Sequence, residues 1–204
     1  MKNLFLRSSV ALACVLSLAS CGGGGGNLLL GGYVGGLTKD GLTLTNNGGT
    51  PLTVPANSSS FQFPDLLKPD EHFDVEIATH PEGTTCTLLY NSGKTGAYSV
   101  TNIEVHCAND PRNITGKIVN PPVNAGLILI NGANQQPIAA GQTTFSMTHY
   151  DTAGKVVSGQ VGDGDPFGVT VLQQPAGQTC TVQNGTGYAG HVDYTAVLVT
   201  CANN

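Results

Sequence analysis

Six cysteines stand in this chain, at positions 14, 21, 86, 107, 180 and 201. The last four fall into two equal intervals, Cys86 to Cys107 and Cys180 to Cys201, each a separation of 21 residues. Thiols can form disulfides, ligate a metal or act as nucleophiles. A zinc site requires CxxC pairs or nearby histidines, and neither accompanies these residues. Four cysteines admit three pairings; the equal spacing favours Cys86–Cys107 and Cys180–Cys201. Each first cysteine opens a strand and each second closes the last one, so antiparallel strands put them side by side. Closing a loop of this length removes about 3 kcal/mol of unfolded-state freedom, and an exported compartment lets the bond persist.

Other reactive side chains form no pattern of comparable strength. His72, His80, His106, His149 and His191 show no HExxH or other metal spacing and read as solvated surface. Asp163-Gly164-Asp165 clusters oxygens as hard cations require, which makes Asp163 and Asp165 weak calcium candidates. The full EF-hand pattern and its closing Glu are missing, and a turn between strands explains the triplet more simply. Asp65, Asp70, Glu71 and Asp74 read as a solvated acidic loop. No aromatic-rich sugar cleft accompanies any carboxylate pair, and Ser58-Ser59-Ser60 have no GxSxG elbow or triad spacing. Asn57, Asn113 and Asn184 head glycan-acceptor triplets that read as turns. No catalytic residue and no cofactor are predicted.

The other two cysteines belong to the N-terminus. Lys2 and Arg7 precede an apolar run from Val10 to Leu18 and then small residues, the order of a secretory signal. The run is too short to span a bilayer, and no later segment reaches about 18 consecutive apolar residues. Leu18-Ala19-Ser20-Cys21 resembles the lipobox of bacterial lipoproteins. The resemblance implies cleavage before Cys21, a diacylglyceryl group on its thiol and a further acyl chain such as palmitate on its new N-terminus. Cys14 leaves with the signal. Gly22, rather than Asp, follows, which in that family favours the outer membrane. Gly22 to Gly26 read as a flexible stalk reaching the first folded residue near Tyr33.

Without residues 1–20 the chain keeps six basic against thirteen acidic residues, too few cations to track a nucleic-acid backbone. Plentiful Gly, Thr, Asn and Val suit short strands joined by tight turns. No 12-residue stretch after Gly26 shows an i, i+3, i+4, i+7 apolar pattern. The class is all-β.

The cysteines also expose a duplication. Val75 to Asn109 laid over Val169 to Asn203 matches at thirteen of thirty-five positions, on a shared frame P-x-G-x-T-C-T, G-x-x-G, V-x-C-A-N. Upstream, Gly41 to Asn46 corresponds to Gly126 to Asn131, and Phe61-Gln62-Phe63 to Phe145-Ser146-Met147. The shift grows from 84 to 94, which locates an insertion of about ten residues between Thr148 and Gly168. About seven short strands are expected per unit: near 33–37, 42–46, 50–54, 60–63, 72–79, 85–90 and 102–107, then near 113–119, 126–131, 136–139, 143–149, 167–173, 179–183 and 194–201, with 156–161 as an extra. Ile103, Val105 and Cys107 share one face, and Glu104 and His106 take the other. Such strand density predicts two tandem immunoglobulin-like β-sandwiches, at 33–109 and 113–204, after a signal peptide (1–20) and a lipidated Cys and Gly-rich linker (21–32). Asp110-Pro111-Arg112 reads as a short hinge that leaves the units nearly end to end.

Gly41 to Gly49, GLTLTNNGG, and Pro175 to Val182, PAGQTCTV, resemble tandem Cys-containing β-sandwich repeats of exported bacterial proteins, many of them lipoproteins. The resemblance spans nearly all of the mature chain and implies a β-sandwich; it brings no settled activity. The second unit departs by its insertion and by Asn131-Gly132-Ala133-Asn134 at the turn.

These readings add up to a non-enzymatic, lipid-anchored envelope protein, outer-membrane by resemblance alone, that serves as spacer, scaffold or adhesion module. The expected partners are the membrane, through the N-terminal lipid, and an envelope protein or a glycan. The alternative is a carbohydrate- or calcium-binding module that uses the inserted loop of the second unit. Leu127-Ile128-Leu129-Ile130 is apolar on both faces, so Ile128 and Ile130 point away from their own core and predict a cover. The first unit, the inserted segment around Val156 and Val157, or a partner protein are the three sources.

Overall fold

The computed structural model describes residues 26–204 apart from Pro121. The signal segment, Cys21 and Gly22 to Gly25 lie outside the described residues. The protein is all-β. Its first half runs β1 (Leu30–Gly35), β2 (Leu42–Asn46), β3 (Leu52–Val54), β4 (Ser60–Gln62), β5 (His72–Thr79), β6 (Thr84–Leu89), β7 (Ser92–Lys94) and β8 (Val100–Asn109). These strands form two four-stranded sheets, β4-β1-β8-β6 and β3-β2-β5-β7, between which the chain repeatedly crosses. Pairing is antiparallel except between β1 and β8, which run parallel. Leu30, Leu42, Leu44, Val75, Ile103 and Val105 meet in the buried core of this half.

A short link, β9 (Pro111–Arg112), leads to β10 (Ile114–Val119), β11 (Ile128–Asn131), β12 (Asn134–Pro137) and β13 (Thr144–Ser146). There follow β14 (His149–Tyr150), β15 (Val156–Ser158), β16 (Val161–Gly162), β17 (Pro166–Gln173), β18 (Gln178–Gln183), β19 (Thr186–Tyr188) and β20 (Tyr194–Asn203). The sheets are β13-β10-β20-β18 and β12-β11-β17-β19, the same order strand for strand, again with one parallel pair, β10 with β20. Their own core gathers Ile114, Leu127, Leu129, Met147, Val197 and Val199. The inserted stretch supplies a β14–β15 hairpin, and its last strand β16 pairs with β9.

Period-2 alternation explains the faces. Ile103 and Val105 are buried while Glu104 and His106 turn outward along β8. Cys86 lies opposite Cys107 and Cys180 opposite Cys201 in the antiparallel registers, and each pair is joined by a disulfide. In β11, Leu129 is fully buried while Ile128 and Ile130 are half-buried on the other face.

Three sequence expectations need correction. Packing begins before Tyr33: Leu28 bridges to Leu67, and both Leu28 and Leu30 are buried. Two edge strands, β7 and β19, were not expected, because Ser92-Gly93-Lys94 and Thr186-Gly187-Tyr188 have no apolar alternation. Each forms because its central glycine lies against an aromatic ring; a Cβ on Gly93 or Gly187 would stand 3.3 Å from Phe73 or Phe167. Finally, Pro111–Arg112 is no free hinge, since it is held in a two-stranded ladder against β16.

Candidate functional site

The richest polar cluster of the described residues lies where the two halves meet. From the first half come the β1–β2 loop with Lys39, the β5–β6 turn with Glu82 and Gly83, and the end of β8 with Asn109. From the second come Asp163 to Asp165, just before β17, and Ala189 to His191, between β19 and β20. Within each half these segments sit at one end of the strands, so the halves contact end against end.

Asp163 is the hub. Its side chain is 2% exposed, and a buried carboxylate requires positive or hydrogen-bonding partners. Lys39 Nζ donates to Oδ1 at 2.5 Å. Arg112 donates to Oδ2 through Nη2 at 3.0 Å and Nε at 3.2 Å, and His191 Nδ1 lies 3.0 Å from the same oxygen. Lys39 also donates to the carbonyl of Glu82 at 3.2 Å, and Arg112 Nε to that of Gly190 at 3.2 Å. His191 Nε2 faces Glu82 Oε1 at 3.3 Å, so one imidazole links carboxylates of both halves. The hydrogen bond from Lys39, helped by those from Arg112 and His191, outweighs the cost of burial and holds the Asp163 carboxyl at about 2.

Backbone contacts fix the same geometry. Asp163 N donates to Asp110 O at 2.8 Å, and Gly164 N to Ala189 O at 2.7 Å. Asn109 Nδ2 donates to Asp165 Oδ1 at 3.2 Å. Gly83 has φ +64°, and a Cβ there would fall 2.3 Å from the Asp163 carboxyl carbon. Only glycine lets the turn approach the carboxylate this closely. Beside the hub, Asp193 accepts from the backbone N–H and side-chain amide of Asn113, both at 2.8 Å. Those bonds, the backbone one first, lower its carboxyl below the ordinary range.

This geometry reassigns the calcium candidates. Both oxygens of Asp163 are engaged by cationic side chains and Asp165 by an amide, so an ion would have to displace the junction itself. Among the described residues no three His, Cys, Asp or Glu side chains are placed to hold a metal together. The histidines divide. His191 joins the junction; His80 Nδ1 accepts from Cys86 N at 3.1 Å; His149 Nε2 is buried with no partner. Gln174, the counterpart of His80, accepts from Cys180 N at 2.7 Å, so two unlike residues serve one role. Ile128 and Ile130 lie in the sheet β12-β11-β17-β19, away from the junction; Val157, one of the residues expected to cover them, is 60% exposed.

Sequence reasoning missed Lys39, Glu82, Arg112 and His191. Lys39 and Asp163 are 124 residues apart, and nothing local to either announces the other. The available signal was indirect: an acidic triplet inside the insertion of a chain with few cations.

No family model matches the chain, and no curated protein matches it. Among solved structures it is similar to the Bacillus anthracis TIE protein, with 13% identity over 86% of this chain and 34% of that one, at a TM-score of 0.49. The chain thus spans about a third of that protein. It is also similar to a mutant of the shaft pilin SpaA from Lactobacillus rhamnosus GG, at 10% identity, 87% and 99% coverage and a TM-score of 0.30. The major pilin protein T-13 from Streptococcus pyogenes aligns at 9% identity, 87% and 97% coverage and a TM-score of 0.29. Likenesses this distant carry no argument about activity.

Proposed function

We propose that this chain is a non-enzymatic structural module of the cell envelope: a stiff two-unit spacer, tethered through a lipid on Cys21, that holds a surface or partner away from the membrane. The observation that carries the reading is the buried Asp163 cluster. A swivelling linker would leave Lys39 and Asp163 in water, whereas here Lys39 of the first half, Arg112 of the link and His191 of the second half converge on one carboxylate. The β9–β16 ladder ties the link to the second half. Disulfides Cys86–Cys107 and Cys180–Cys201 suit an oxidising, exported location. The duplicated frame and matching strand order support two tandem sandwich units.

Backbone ¹⁵N relaxation of the exported protein tests the reading. A spacer of this kind gives both halves one rotational correlation time and shared anisotropy. Separate correlation times for residues 30–109 and 114–203 would overturn it. Calcium binding at Asp163 and Asp165 draws no support from the geometry, because these carboxylates close the junction.

A further inference from the structure

The two halves share a topology but differ in the gap between their two sheets. In the second half β19 covers β17 only from Pro166 to Gly168, so Val169 to Gln173 form an open edge, and β18 is the edge strand of the other sheet. Val169 N donates outward along this side, to Gly185 O at 2.7 Å. Residues two apart on a strand turn their N–H and C=O the same way, so Val171 aims its pair past the end of β19. On β18, Cys180 N donates to Gln174 Oε1 at 2.7 Å and its C=O accepts from Gln174 Nε2 at 3.0 Å. Both point away from β20, and those of Val182 follow them. Gln174 caps Cys180, and no described side chain does the same for Val171 or Val182.

The first half fills the counterpart gap with larger residues. Asn91 Nδ2 donates to Val75 O at 2.8 Å, and Ile77 and Leu88 pack against the core. The duplication puts Gly185 in place of Asn91, Val171 of Ile77 and Val182 of Leu88, in each case the smaller residue. What remains is an open cleft of about 400 Å³, lined among others by Val169, Val171, Thr181, Val182, Gly185 and Thr186, with no ionisable side chain.

We propose that this cleft binds an extended, uncharged peptide segment of a partner protein, added as a strand along β17. Unpaired backbone groups select a strand, because another backbone offers N–H and C=O at matching spacing. Val171 exchanges two bonds with one residue of the segment, and the next residue turns its own groups toward Val182. About three residues, or roughly 10 Å of extended chain, reach across such a site. A charged segment would lose water with nothing in the cleft to pair it, whereas Val, Thr and Ala suit walls of valine, threonine and glycine. The inference holds whatever the anchor and however stiff the junction.

Titration of the ¹⁵N-labelled exported protein with an end-blocked pentapeptide of alternating threonine and valine tests it. The expected result is saturable shifts and slowed hydrogen exchange at the Val171 and Val182 amides, with a Kd on the order of 1 mM, and no such response at Ile77 and Leu88. The same peptide methylated on its central amide nitrogen lacks a donor and should bind about tenfold more weakly or worse. Val171→Ile with Val182→Leu restores the first half's side chains and should weaken binding by a similar factor. Gly185→Asn narrows the cleft from the other wall; a Cβ there stands 2.4 Å from Val169 O, so should it fold poorly the double variant and the methylated peptide decide. No response at Val171 to millimolar peptide, equal binding of the methylated peptide, binding unchanged in the folded variants, or an equal response in the first half would each overturn the proposal. Shifts on raising the protein concentration alone would put a second copy in the cleft and overturn it likewise.

Discussion

Asp163 shows how one residue can couple two packed bodies. A carboxylate stripped of water costs several kcal/mol unless its partners are well placed, and here Lys39, Arg112 and His191 all reach it. Asp163→Asn keeps the shape but leaves two cations facing a neutral amide, and is expected to cost about 3 kcal/mol. The charge also sets a pH dependence. Its carboxyl is held at about 2 against an ordinary 3.8, so the stabilisation is fully present above the unfolded value and is lost as pH falls through the folded one. The amount is about 2 kcal/mol. Thermal melts between about pH 4 and pH 2 should therefore fall more steeply for the wild type than for Asp163→Asn; parallel curves would contradict the assignment. Gly83→Ala attacks the same contact from the other side. With φ +64° and the Asp163 carboxyl 2.3 Å from the new Cβ, it should lower the melting temperature by the equivalent of about 1–3 kcal/mol.

At the scale of the element, alternation sorts residues by consequence. Leu129 is 0% exposed, so Leu129→Ala should cost about 2–5 kcal/mol by chemical denaturation. Ile130→Ala, one residue on but facing away, should cost well under half of that; equal losses would refute the inward and outward assignment. Replacing Cys180 and Cys201 together by Ala opens a 21-residue loop and should cost about 3 kcal/mol. These elements were legible in the sequence because their signals are local. Ile103 and Val105 alternate with Glu104 and His106, and two cysteine pairs of equal spacing fall on directly opposed strand positions. Strands β7 and β19 were not legible, since their identity rests on a glycine fitting against a phenylalanine ring from another strand. The junction was illegible for the same reason on a larger scale. Lys39 lies in a first-half loop and Asp163 in the second half's insertion, and only the completed fold brings them together.

For the whole molecule, the insertion is the feature that distinguishes the second half from the first, and its last strand binds the link between them. In the proposed spacer, the inserted β16 and the loop after it are what hold the two halves together. Such a spacer works only if one end is fixed. Cys21→Ala is predicted to shift the protein from the detergent phase to the aqueous phase and to remove the lipid mass from its N-terminal peptide. Membrane-bound wild-type protein with Cys21 unmodified would contradict the anchor.

The central claim, that the junction makes the two halves one rigid body, is tested most directly by a distance distribution across it. Spin labels introduced through unnatural amino acids at Ser92 and Gln183, exposed strand positions in opposite halves, leave the disulfides untouched. Pulsed dipolar spectroscopy of the wild-type background should give a single narrow distance. Asp163→Asn should broaden it while each half stays folded. A broad distribution in the wild type, or one unchanged by the substitution, would contradict the account.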